Sequence, residues 1–92
     1  MSRRPALDAP VVVSKFWKNR RHDIIQVSLS TFEGSNLVNI REHFTDAAGV
    51  DRPTRKGIAM TVRRLPALAK AVNDALAKAV ELGLITDAEG DE

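Results

Sequence analysis

The 92-residue chain has no cysteine, no tyrosine, and only one tryptophan and three phenylalanines. Without cysteine, disulfides and thiolate-held metals are excluded. The two histidines, His22 and His43, are isolated and make no structural zinc site on their own. No metal or cofactor is expected. No apolar run approaches the roughly 18 residues that cross a membrane, and the N-terminus lacks the apolar centre of a secretory signal. A soluble cytoplasmic protein is expected. Catalytic patterning is absent too. No serine or cysteine nucleophile arrangement and no spaced carboxylate cluster stands out. His43 beside Glu42 points to the opposite face of a strand, so the two form no dyad. An enzyme is not expected.

Regular patterning covers only about residues 24–84, which is small for an independent core. With disulfides and metals set aside, a partner subunit is the most economical way to complete it. Charge is uneven despite a net +2. Residues 1–70 carry 13 Lys/Arg against 6 Asp/Glu, while residues 71–92 carry 1 against 6. A basic front with an acidic end suits a polyanionic partner at one surface, although solvated charge alone also produces such counts.

Residues 1–10 are polar and marked by Pro5 and Pro10, and read as a disordered arm. Residues 11–85 form a single domain, and residues 86–92 an acidic tail. Val11 to Trp17 is either a short strand, joined by a polar turn from Lys18 to Asp23 into a hairpin with the next strand, or a stray extended segment. Around Phe16 and Trp17 stand Lys15, Lys18, Arg20 and Arg21. Cations interleaved with rings suit a single-stranded polymer; equally, Trp17 packs on the domain and its neighbours stay in water.

Ile24 to Thr31 alternates, with Ile25, Val27 and Leu29 opposite Gln26, Ser28 and Ser30. That is a half-buried antiparallel strand with one wet face. Phe32 to Asn36 supplies a turn, with Gly34 free to take positive φ. Leu37 to Phe44 returns: Val38 and Ile40 point inward, Asn39, Arg41 and His43 outward. Parity groups Phe44 with Ile40 on the core side, and it faces outward only if a bulge or the strand end breaks the register. Residues 45–54 read as a connecting loop, with Asp46 and Asp51 as turn formers. Residues 55–60 are a third strand, and Gly57 permits either a bulge or close approach of a ligand. A long helix then runs from Leu65 or Pro66 to Leu82. Either Thr61 caps it or Pro66 takes the first helical position. Leu65, Leu68, Ala69, Val72, Leu76, Ala79 and Val80 repeat at three and four, and small residues among them let a second helix approach. Gly83 and Leu84 match a Schellman stop.

The aliphatic pattern needs no aromatic to fill it. Phe32 continues the polar face of its strand, where a large ring serves stacking better than packing. Arg41 lies on the polar side of the next strand, and Arg52, Arg55 and Lys56 supply further cations. Glu33, beside Phe32, works against them.

Together these residues form a recognisable series: Val27-Ser28-Leu29, Phe32-x-Gly34, Ile40-Arg41-Glu42-His43-Phe44, then Asp46, Gly49, Pro53 and Arg55-Lys56-Gly57-Ile58. From about Val27 to Met60 it resembles, without a gap, the C-terminal domain of the transcriptional coactivator positive cofactor four. The longer segment from Lys15 to Arg21 looks more like the bacterial members. The resemblance implies an α+β fold: a curved antiparallel sheet, one long C-terminal helix and a symmetric homodimer. It implies binding of single-stranded or unwound DNA with little sequence preference. By position, Phe32 and Phe44 would stack on bases, and Arg41 and Lys56 would meet the backbone beside Arg55. Phe44 stands where the family often has tryptophan. Glu33 and Ser35 stand where the best-known members have lysines, which weakens the clamp unless Lys18, Arg20 and Arg21 replace it.

The leading expectation is therefore a homodimeric, nucleoid-associated single-stranded DNA-binding protein of transcription, replication or repair. Its binding residues would be Lys15, Trp17, Lys18, Arg20, Arg21, Phe32, Arg41, Phe44, Arg52, Arg55 and Lys56. The helix stripe from Leu65 to Val80 would be its dimer interface. The alternatives are a protein-interaction adaptor of the transcription machinery, and RNA binding.

Overall fold

The computed structural model describes residues 5–86. Residues 1–4 and 87–92, which include part of the expected arm and nearly all of the acidic tail, lie outside the described residues. The fold is α+β: four strands in an antiparallel sheet, then one helix. The strands are β1 (Val11–Trp17), β2 (Ile24–Phe32), β3 (Ser35–Thr45) and β4 (Asp51–Thr61), and they lie in chain order. The chain divides into two compact units, the sheet and the helical segment that begins at Arg63.

Strands β2 and β3 pair without interruption, from Ile24 opposite His43 to Phe32 opposite Ser35. Residues directly opposite share a face, so the alternation read along each strand becomes rows across the sheet. Val27, Ile40 and Ile58 form one aliphatic row; Leu29, Val38 and Met60 form the next. The other face carries Lys15, Gln26 and Arg41 in one row, and Ser28 with Asn39 in another. On this polar face Asn39 donates to Ser30 Oγ at 2.9 Å.

Val11 to Trp17 is a strand, paired with β2 and interrupted by a bulge at Val13. The turn after β2 is tighter than the sequence suggests. Phe32 still pairs with Ser35, and Glu33 (φ 50°) and Gly34 (φ 81°) make the whole turn. Two left-handed residues in a row match the right-handed twist of the flanking strands. Strand β4 begins at Asp51, earlier than expected, and includes Pro53. Proline is tolerated because β4 is an edge strand, with one side free of ladder bonds. The loop between β3 and β4 shrinks to residues 46–50. It is organised by Asp46, whose Oδ1 accepts from the backbone N–H groups of Ala48 (2.9 Å) and Val50 (3.0 Å).

Between Arg41 and His43 of β3 the pairing with β4 slips: Gly57 faces Arg41 but Pro53 faces His43. Residues 54–56 therefore bulge opposite Glu42. Thr54 ties the bulge down, its Oγ1 donating to the Glu42 carbonyl at 2.9 Å and accepting from the Lys56 N–H at 3.0 Å. Arg41 Nη1 donates to the Thr54 carbonyl at 3.1 Å. A Cβ on residue 57 would lie 2.5 Å from the Ile40 carbonyl oxygen and 2.8 Å from Arg41 Cα. The bulge reading of Gly57 is thus the one observed.

The helix, α1 (Leu65–Glu81), follows a 3₁₀ turn at Val62–Arg64. Thr61 ends β4 and does not cap it; Pro66 sits within the first turn, where its missing N–H costs nothing. At the other end the Gly83 N–H donates to the Val80 carbonyl (3.0 Å) and the Leu84 N–H to the Ala79 carbonyl (2.9 Å), the Schellman pattern. Val72 and Leu76, one turn apart, are more than half exposed.

Among the described residues, Ile24 and Val38 are the only hydrophobic side chains that count as buried. At roughly 1.5–3 kcal/mol per fully buried aliphatic side chain, that is a thin core. Backbone geometry must then carry much of the specificity, and Gly57 is its tightest point. Gly57→Ala is expected to destabilise the protein by at least ~2 kcal/mol, measured as a lowered urea midpoint. An unchanged midpoint would mean that β4 does not cross β3 so closely.

Candidate nucleic-acid interface

The residues singled out in the sequence fall on two faces and at two ends of the sheet. On the polar face, Lys15 and Arg41 flank Gln26, and Trp17 lies opposite Ile24. Phe32 closes the same face at the far end of β2, with its ring 64% exposed. Eight residues of strand separate Phe32 from Ile24, roughly 26 Å at ~3.3 Å per residue. The Lys15 ammonium reaches Asp51 Oδ2 at 3.3 Å across both central strands, so the sheet curls toward this face.

Trp17 is also exposed, and its ring stacks on His22 with centroids 4.0 Å apart. His22 holds a left-handed backbone (φ 65°) in the β1–β2 turn. Asn19 shapes that turn: its amide Nδ2 donates to Asp23 Oδ2, and its Oδ1 accepts from the N–H groups of Arg21 and Asp23. Arg20 and Arg21 project from the same turn and are exposed. The tryptophan is thus held by a structured turn while its outer surface stays open.

The aliphatic face carries a second cluster. Glu42 continues the Val38–Ile40 parity and is largely buried. Lys18 Nζ bonds its Oε1 at 2.5 Å, and Lys56 Nζ stands 3.8 Å from its Oε2. The Lys18 hydrogen bond is the main cause that holds the Glu42 carboxyl below the usual range; burial opposes it, and the charges of Lys18 and then Lys56 assist. These three residues, with Ile25, Ile40, Gly57 and Ile58, line a groove of about 230 Å³.

Phe44 sits at the end of β3, on the Glu42 side by parity and opposite Arg52. The ring is 41% exposed, so a strand end provides the access that its inward parity seemed to deny. Arg52 Nε bonds Asp46 Oδ2 at 2.5 Å. The backbone N–H of Val50, then Arg52, hold the Asp46 carboxyl below its ordinary value. Arg55 is exposed, and no carboxylate among the described residues pairs with it.

Lys15, Lys18, Arg21, Arg52 and Lys56 all have carboxylate partners within the chain. The sequence reading names these cations as candidate nucleic-acid ligands and weighs Glu42 only beside His43. The signal was available: a carboxylate in step with Val38 and Ile40 on an aliphatic face requires cationic partners. What periodicity could not show is that Lys18 and Lys56, distant in sequence, would be those partners.

His43 faces away from Glu42, opposite Ile24, and its enclosed Nδ1 has no hydrogen-bond partner. Among the described residues no group of three His, Asp or Glu side chains could hold a metal ion. Among the described residues no helix is long and apolar enough to cross a membrane.

The N-terminal segment meets the Phe32 end. Leu7 N–H donates to Thr31 Oγ1 at 2.8 Å, and Asn36 Nδ2 donates to the Pro5 carbonyl at 2.9 Å. Thr31 and Asn36 are themselves joined by a 2.6 Å hydrogen bond.

Comparison with known proteins gives one family. The family model described as Transcriptional Coactivator p15 (PC4) matches residues 17–71, well over half of the chain. No curated protein matches it.

Glu33 combines two unfavourable roles beside Phe32: a negative charge and a left-handed backbone without glycine or asparagine. Such a conformation costs on the order of 1 kcal/mol. Glu33→Asn is expected to stabilise the protein by about 0.5–1 kcal/mol, read as a raised urea midpoint. No gain would indicate that the turn already relaxes around the glutamate.

Proposed function

The chain belongs to the transcriptional coactivator p15 (PC4) family, whose role is DNA-binding and coactivator-like, and from that premise we propose that it binds single-stranded or unwound DNA as a homodimer, with little sequence preference. The observation that carries this reading is Phe32. A phenylalanine ring 64% exposed on the polar face of a sheet contributes little to folding and offers a flat surface for a base. Trp17 and Phe44 present further exposed rings at the other end, among Lys18, Arg20, Arg21 and Arg52. Rings that stack and cations that meet phosphates are what a single strand needs, and neither reads sequence strongly. Arg41, Lys15, Arg55 and Lys56 complete the proposed set.

The homodimer rests on the thin core and on the helix. Val72 and Leu76 continue a stripe with Leu65, Leu68, Ala69, Ala79 and Val80, and an exposed apolar stripe of this kind suits a second copy. Small residues within it allow close approach. An adaptor function, in which the same dimer recruits proteins and barely touches nucleic acid, is favoured only by Glu33.

Fluorescence anisotropy with oligothymidine, duplex DNA and RNA of equal length, over a salt series, tests the reading. Tighter and salt-sensitive binding of the single DNA strand is expected. Phe32→Ala should cost ~1–3 kcal/mol of binding, and Lys56→Ala should flatten the log–log salt slope by about 0.7. Feeble binding to all three would favour the adaptor. Leu76→Glu should shift the sedimentation coefficient from dimer to monomer; an unchanged value would place the interface elsewhere.

A further inference from the structure

We propose that Glu42 is an internal competitor for phosphate: it occupies Lys18 and Lys56 in the free protein, and nucleic acid binds by taking these two cations from it. The inference rests on the single-strand reading above and specifies how one part of that surface works.

Three observations support it. First, Glu42 is buried and the lysine side chains are not. Its side chain is 10% exposed, whereas those of Lys18 and Lys56 are 47% and 78% exposed. The lysines can swing away on flexible stems while the carboxylate stays in place. Second, one carboxylate serves two ammonium groups at unequal distances, 2.5 Å to Lys18 and 3.8 Å to Lys56. The site is left with an excess of one positive charge, and Lys56 is the more loosely held. Third, the position is fixed by backbone. The bulge at residues 54–56 sets Lys56 over Glu42, and the Glu42 carbonyl anchors that bulge through Thr54 Oγ1. Ile25, Ile40 and Ile58 line the groove alongside the two lysines and offer the charges no competing polar partner.

A phosphate arriving here exchanges one anion for another. Each lysine given to phosphate is withdrawn from a carboxylate that is left partly buried, so Glu42 lowers affinity and moderates its salt dependence. It acts through Lys18 and Lys56, and it sets how tightly the surface holds any strand.

The test measures oligothymidine binding by wild type, Glu42→Gln and Glu42→Asp over a salt series. Glu42→Gln keeps the shape and removes the charge. It should bind at least ~3-fold more tightly at low salt, with a salt slope steeper by about 0.7, as for one further neutralised phosphate. Glu42→Asp keeps the charge and should retain the wild-type slope. Adding Lys56→Ala to Glu42→Gln should abolish most of the gain. Unchanged or weaker binding by a folded Glu42→Gln would overturn the proposal and show that Glu42 instead preorganises the lysines for DNA. The wild-type protein gives a second readout that does not depend on variant folding. The carboxyl carbon NMR signal of Glu42 should move when oligothymidine is added, as its partners leave; an unmoved signal in a saturated complex overturns the proposal. Failure of wild type to bind any single strand would instead overturn the functional reading beneath it, and this proposal with it.

Discussion

The closest constraint in the sheet is the passage of Gly57 over the Ile40 carbonyl and Arg41 Cα. No side chain fits between the two strands there. β4 leaves the ladder between Pro53 and this close crossing at Gly57, and residues 54–56 stand out opposite Glu42. The departure is stabilised by hydrogen bonds that use groups from both strands. Thr54 Oγ1 bridges the Glu42 carbonyl and the Lys56 N–H, and Arg41 holds the Thr54 carbonyl. The same bulge delivers Lys56 to the Glu42 carboxylate. One glycine thus links strand pairing to the electrostatics of the surface. The Arg-Lys-Gly-Ile run reads as a functional motif, but its glycine answers a backbone requirement and its lysine is where that requirement reaches the surface.

The balance of charge on the sheet is finer than its sequence count implies. Exposed pairs such as Lys15–Asp51 and Arg52–Asp46 contribute little to stability, typically ~0–1 kcal/mol. On the proposed reading, such weak pairs are cheap to exchange for a phosphate. Glu42 differs because its carboxylate is buried and its partners are not. Leaving a buried charge short of partners carries a penalty that an exposed one does not. On the proposed reading, cations of equal formal charge are therefore unequal as phosphate ligands, graded by what they must leave behind. Arg20 and Arg55, which have no carboxylate partner among the described residues, leave nothing.

Much of this was legible in the sequence, for identifiable reasons. The period-two alternation of β2 and β3 gives their faces directly, and it placed Phe32 and Arg41 outward. Gly83 and Leu84 announced the helix stop. The reading fell short where local signals mislead or where register decides. Pro53 looked like loop because proline interrupts a central strand, but β4 is an edge strand. Glu33 was not an obvious left-handed residue, so the turn was drawn too long. The hairpin of Val11 to Trp17 with the next strand is legible as one of two options, and β1 does pair with β2; what three valines leave open is settled by the turn that Asn19 and Asp23 build. Phe44 was grouped with the inward residues by parity, and only the strand end shows that this position remains open.

Separation across the sheet constrains any single strand that uses both ends. Phe32 lies on the polar face at the β2–β3 turn; Phe44, Lys18 and Lys56 belong to the aliphatic face or its margin, nearer the opposite end. A straight path over one face meets Phe32, Arg41, Lys15 and Trp17 but misses Lys56. A path along β4 meets Arg52, Arg55 and Lys56 but misses Trp17. Edge strand β4 is where the two paths come nearest, since the bulge turns Lys56 toward one face while Arg41 grips Thr54 from the other. On the proposed reading, one protomer offers two partial tracks joined at this bulge. The bound strand must either bend around the β4 edge or pass from a track on one copy to a track on its partner. The second course spares the bound strand a sharp turn around the β4 edge, and is the one more consistent with a dimer.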